Sequence, residues 1–122
     1  MKTTLLSLQL NTPDLDILCQ FFTHLGVPLE EVKVNKGSSY FLADMGPFEL
    51  KIFSIPQRQR SSTPDLSLRV QVTGIEDVMK KLKDMGQVGI IMDVEFLNEG
   101  KTALVSDPDG RLIELVENFP SP

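Results

Sequence analysis

Asp107-Pro108-Asp109-Gly110-Arg111-Leu112-Ile113-Glu114-Leu115-Val116-Glu117 is the stretch from which the fold of this 122-residue chain is read. Asp-Pro-Asp-Gly is turn chemistry: Pro108 presets its own φ, Asp109 tolerates a tight bend, and Gly110 takes φ > 0 at little cost. The β-branched, apolar run that follows at once marks the second strand of a hairpin. Glu114 stands in the middle of that run, where an ionisable group is costly unless a site or a partner holds it charged. Alone, the stretch predicts a strand carrying an inward carboxylate.

Working outward, residues 102–106 supply the hairpin's first strand and residues 88–96 another before it, joined at Asn98-Glu99-Gly100. Thr73-Gly74-Ile75-Glu76 has the form of a capping box. It opens a helix whose stripe is Ile75, Val78, Met79, Leu82 and Met85, ended by Gly86. Before it, Leu66, Leu68, Val70 and Val72 alternate with Ser67, Arg69 and Gln71, as in a strand with one apolar face. Residues 56–64 are polar, bounded by prolines and without an apolar period. They read as an exposed linker, with Arg58 and Arg60 solvated.

The first half follows the same order. Over residues 5–11, Leu6, Leu8 and Leu10 alternate with Ser7, Gln9 and Asn11. Thr12 reads as a helix cap and Pro13 as the first helical residue, with Asp14 and Asp16 complementing the helix dipole. Leu15, Leu18, Phe22 and Leu25 form the buried stripe, and Gly26 stops the helix. Strands are expected at residues 29–35, 39–43 and 48–53, the first two joined at Asn35-Lys36-Gly37. A shift of 60 residues lays Ser7 on Ser67, Gln9 on Arg69 and Gly26 on Gly86. Near the ends of the halves, Phe48-Glu49-Leu50 answers to Ile113-Glu114-Leu115 with a few residues inserted. The chain therefore reads as two copies of βαβββ, residues 1–55 and 65–119, in one compact α+β domain.

Side chains at i and i+2 of a strand share a face. One set of faces is apolar: Leu6, Leu8 and Leu10; Phe48, Leu50 and Ile52; Leu68, Val70 and Val72; Ile113 and Leu115. The opposite faces carry Ser7, Gln9, Glu49, Lys51, Phe53, Ser67, Arg69, Gln71, Glu114 and Val116. If both sheets curl round one cup, these residues line it, and a concave surface with convergent polar groups is the default ligand site.

Together with residues 107–117, the run Leu8-Gln9-Leu10-Asn11-Thr12-Pro13-Asp14-Leu15 and the helix ending Leu25-Gly26-Val27 resemble the glyoxalase/bleomycin resistance/dioxygenase superfamily, also called vicinal oxygen chelate. The resemblance runs from about residue 4 to residue 117. It implies two βαβββ modules forming a curled mixed sheet around a central cleft, in a homodimer. Metal enzymes of the family hold a divalent ion with one side chain on the first strand and one on the fourth strand of each module. Those places here are Ser7, Glu49, Ser67 and Glu114. Both glutamates are kept, and serine replaces both first-strand ligands, usually His or Gln and then His. A neutral hydroxyl is a poor ligand for zinc, nickel or iron. The sole histidine, His24, ends the first helix, so one chain cannot build a two-histidine iron site.

Two classes of function remain. One is a small-molecule-binding protein without a transition metal, similar to the bleomycin-resistance members, with no cofactor. The other is a glyoxalase-, isomerase- or dioxygenase-type enzyme. It would use Glu49 and Glu114 on a hard divalent ion, magnesium or manganese, or as acid and base. Arg69 and Lys51 either bind an anionic group or neutralise the glutamates. His24 reads as a charge–dipole contact and Cys19 as a packed thiol.

The bulk numbers are those expected of an ordinary soluble globular chain. The chain is 41% hydrophobic and 24% charged, with a net charge of −5, and its pI of about 4.8 argues against a general nucleic-acid binder. No apolar run approaches a membrane span, and the N-terminus is too short in its apolar part for a signal peptide. A single cysteine rules out an internal disulfide and points to the cytoplasm.

Overall fold

The computed structural model describes residues 3–34, 37–56, 66–97 and 100–118. It is an α+β chain of two tandem βαβββ modules. The first runs β1 (Ser7–Thr12), α1 (Leu15–His24), β2 (Glu30–Lys33), β3 (Ser39–Asp44) and β4 (Glu49–Ser54). The second runs β5 (Ser67–Gln71), α2 (Ile75–Met85), β6 (Gly89–Leu97), β7 (Gly100–Ser106) and β8 (Leu112–Asn118). Each module forms a four-stranded mixed sheet, ordered β1-β4-β3-β2 and β5-β8-β7-β6. The first strand runs parallel to the fourth in both, and every other pair is antiparallel. The backbone clusters into two compact units, one holding β1 to β4, the other β5 to β8 with α2. Beyond Pro56, the expected linker with Arg58 and Arg60 lies outside the described residues, as do the turn residues Asn35, Lys36, Asn98 and Glu99.

In the first module, Leu10, Ala43, Leu50 and Ile52 share the buried face of the sheet. Leu6, expected on that face, is 76% exposed. The ladder begins one residue later, and Leu6 contributes only its carbonyl, which accepts the Glu49 amide at 3.0 Å. The helix also starts later than the Thr12-Pro13 reading. Thr12 stays in the parallel ladder opposite Ser54, fully buried, so its backbone is held extended. Its hydroxyl takes the Asp14 amide at 3.1 Å, and the Asp14 carboxylate caps α1 by accepting the Ile17 amide at 3.2 Å. Within α1, Leu18, Phe21 and Phe22 are buried. Phe21 lies outside the expected stripe and meets Phe22 edge-on at 5.1 Å.

In the second module, Ala103, Val105, Ile113 and Leu115 form the buried face, all 0% exposed. Onto it α2 packs through Ile75, Val78, Met79 and Leu82, against β6 and β8. Burying such side chains stabilises by roughly 1.5–3 kcal/mol each. The expected capping box does not form. Gly74 occupies the cap position at φ 71°, and no local side chain bonds the first turn. Instead Glu117, at the far end of β8, accepts the Gly74 amide at 2.6 Å and the Ile75 amide at 3.0 Å. Thr73 fails as a cap because Gly74, in the left-handed region, re-aims those amides toward the sheet.

The turn between β7 and β8 forms as its residues predict, with Gly110 at φ 92° and its amide bonded to the Asp107 carbonyl at 2.9 Å. The sequence gives Arg111 no role, yet its side chain is 2% exposed. Its Nη1 reaches Asp107 Oδ2 at 3.0 Å and Asp109 Oδ2 at 3.1 Å. Asp107 Oδ1 also accepts the amides of Asp109 and Arg111, both at 2.9 Å. This turn is a buried charge cluster as well as a bend. At the sheet's other side, the β6 ladder slips between Ile90 and Met92 and again between Met92 and Glu95.

Candidate functional site

The residues expected to line a cup divide between two sheet faces, one in each module. In the first, the ladder sets Ser7 opposite Glu49, Gln9 opposite Lys51 and Asn11 opposite Phe53. Ser7, Gln9, Glu49, Lys51 and Phe53 thus share one face, away from Leu10, Leu50 and Ile52. Two residues missed in the sequence join them from β3: Leu42, opposite Lys51, and Tyr40. The Tyr40 ring stacks on Phe53, with centroids 4.8 Å apart and planes 25° from parallel. Residues 39–43 were legible as a strand, but which of its faces met Phe53 depended on the register across β3 and β4.

In the second module Ser67, Arg69 and Gln71 share a face with Leu112, Glu114 and Val116. The ladder places Arg69, not Ser67, opposite Glu114. Arg69 Nε lies 3.4 Å from Glu114 Oε2, with the arginine side chain 69% exposed and the carboxylate 35%. Here the two modules part. The 60-residue shift lays Gln9 on Arg69, so the ladder counterpart of Glu114 is Lys51, opposite Gln9, and that of Glu49 is Leu112, opposite Ser67. The glutamates aligned by sequence stand two ladder positions apart.

A cavity of about 460 Å³ opens on this second face, lined by Arg69, Phe96, Leu97, Gly100, Thr102, Val116 and Asn118. Arg69 and Val116 were expected there. Thr102 faces Val116 across the β7–β8 hairpin, a contact the hairpin register predicts once its turn is fixed. Phe96 and Leu97 close the rim at the end of β6, 72% and 51% exposed. Gly100 matters by its lack of a side chain: a Cβ there would run into the Glu117 carbonyl and the Asn118 backbone.

The other candidates lie elsewhere. His24 ends α1 and is on neither face. Cys19 is a partly buried thiol, pushed up to about 11 by burial and then by the charge of Asp16, so it carries little thiolate. Lys101, whose ammonium lies 5.6 Å from the centroid of the Phe96 ring, pairs with Glu76 at 2.7 Å. That hydrogen bond holds the Glu76 carboxyl below, and the Lys101 ammonium above, their ordinary values.

The donors at the family's metal positions do not fit a transition-metal ion. Ser7 and Ser67 offer neutral hydroxyls, and Glu114 faces a guanidinium. Among the described residues, no group of three or more His, Cys, Asp or Glu side chains is placed to hold a metal ion.

The sequence profile of the Glyoxalase/Bleomycin resistance protein/Dioxygenase superfamily matches residues 4–115. The chain belongs to this superfamily. Solved structures repeat the fold at low identity. The genomically encoded fosfomycin resistance protein FosX from Listeria monocytogenes is 18% identical, with a TM-score of 0.70 over 100% of this chain and 96% of that one. A glyoxalase-related enzyme from Fulvimarina pelagi is also 18% identical, with a TM-score of 0.69 over 96% and 89%. TioX from Micromonospora sp. ML1 is 15% identical, with a TM-score of 0.66 over 96% and 100%. At this identity the likeness shows the superfamily fold and leaves the chemistry to the residues. No curated protein matches the sequence significantly. Among the described residues, no helix is long and apolar enough to cross a membrane.

Proposed function

We propose that this superfamily member is a small-molecule-binding protein that works without a transition metal, using the polar sheet faces of its modules as receptor surfaces. The observation that carries the reading is the pairing of Glu114 with Arg69, which itself lines the 460 Å³ cavity. In the metal enzymes the fourth-strand carboxylate of the second module is a ligand; here it is engaged by a guanidinium. The cavity mixes apolar walls (Phe96, Leu97, Val116) with a cation, a hydroxyl and an amide (Arg69, Thr102, Asn118), as ligand sites commonly do. The proposal includes a cytoplasmic protein, from its single cysteine, acting as a homodimer, from the family resemblance.

The test begins with metal content after purification without chelator, then thermal melts with magnesium, manganese, nickel and zinc. A ligand that binds only the native state raises the melting temperature. No metal and no metal-induced shift are expected. A screen of small aromatic and charged compounds should then yield shifts that Arg69→Ala removes. Near-stoichiometric metal, or a metal shift lost in Glu49→Ala and Glu114→Ala, would overturn the proposal in favour of an ion-dependent enzyme.

A further inference from the structure

The first module's polar face has a chemistry of its own. Across its strands lie Asn11, Phe53 and Tyr40 in one row and Gln9, Lys51 and Leu42 in the next. Tyr40 and Phe53 are partly buried and already stacked, so the rotamer freedom a ligand would otherwise have to quench is largely spent. Lys51 precedes Phe53 by two residues on β4 and projects from the same face, beside the rings. None of the ion pairs among the described residues involves Lys51. Its hydrocarbon stem is sheltered by the sheet, and its ammonium is left to meet a partner. A planar ring gains by joining an offset stack. A carboxylate reached by an ammonium beside partly desolvated rings gains a charge-assisted hydrogen bond.

We propose that this face is a subsite for a planar aromatic acid, with the ring stacked on the Tyr40–Phe53 pair and the anionic group on Lys51. The subsite rests on reading the sheet faces as receptor surfaces, but not on Arg69. It selects against aliphatic acids, which cannot extend the stack.

The chain supplies its own reporter: it has one tyrosine, Tyr40, and no tryptophan. Titration with 2-naphthoate should quench tyrosine emission saturably, with N-acetyltyrosinamide titrated alongside to correct for absorption. 2-Naphthalenemethanol and cyclohexanecarboxylate should bind at least tenfold more weakly. Lys51→Met should weaken naphthoate about tenfold and leave the alcohol unchanged. Phe53→Leu should remove the saturable phase. Tyr40→Phe, followed by calorimetry, should keep the affinity, since it keeps the ring pair. Quenching that never saturates, equal affinity for acid and alcohol, or indifference to Lys51→Met would each overturn the subsite. No quenching beside intact Arg69-dependent melting shifts would remove this subsite alone. Saturable quenching with no Arg69-dependent ligand would instead remove the cavity proposal.

Discussion

The two modules share one topology and are wired differently. The first closes its helix locally, with Asp14 capping the turn that begins at the next residue. The second caps its helix from 42 residues away, through Glu117. The first joins β3 to β4 by a short turn in which Asp44 accepts the Gly46 amide at 2.9 Å. The second joins β7 to β8 through a buried cluster of one arginine and two aspartates. The same strand order thus tolerates local or long-range solutions at corresponding joints. Binding residues differ most: an aromatic pair with a lysine on one face, an arginine–glutamate pair beside a cavity on the other.

The contrast can be tested joint by joint. Arg111→Met should have the largest effect, about 3–5 kcal/mol, because it strands the buried Asp107 carboxylate. Urea denaturation measures it; a cost below about 1 kcal/mol would mean that the cluster is not what distinguishes this turn. Next comes Glu117→Gln, which carries a pH signature. The Ile75 amide, then the Gly74 amide, hold this carboxyl below its ordinary 4.5. A depressed acid stabilises fully above its ordinary value and loses that contribution as pH falls through the folded one. Melting temperatures of wild type and variant should therefore differ at pH 7 and converge on acidification below about pH 4. A pH-independent gap would show that geometry, not charge, makes the cap.

Asp14→Ala removes the local cap and should cost about 1 kcal/mol, read by the same denaturation. If its loss exceeded that of Glu117→Gln, the long-range cap would be the weaker of the two. Smallest of all, Arg69→Ala should change stability by about 0.2–1 kcal/mol, since its ion pair is mostly solvated. A larger loss would make the Arg69–Glu114 pair a fold element rather than a binding one.

How much of this the sequence discloses follows from the range of the interactions. Period-two alternation and glycine-marked turns delimit the strands to within one or two residues, because those signals act over a few positions. The β7–β8 hairpin is legible for the same reason. Thr12 misleads because a threonine before proline and aspartate satisfies helix-cap chemistry, and only the parallel ladder with β4 keeps it in the strand. Thr73 misleads because its competitor for the helix amides, Glu117, lies at the other end of the module. Glu49 and Glu114 share a local motif, yet register is fixed by the whole sheet, and it sets them opposite different residues. Arg111 passes unnoticed since nothing local tells a buried arginine from a solvated one. Tyr40 is hidden likewise: its partner Phe53 sits on another strand.

The Glu117 link has a consequence for the order of assembly. On the ribosome α2 emerges with its first amides unsatisfied, and the carboxylate that completes them follows some 42 residues later. Closing so long a loop carries an entropic barrier that a local cap avoids. The start of α2 then matures only when the last strand docks. Hydrogen exchange at the Gly74 and Ile75 amides should accordingly track the arrival of β8, while the interior of the same helix protects earlier.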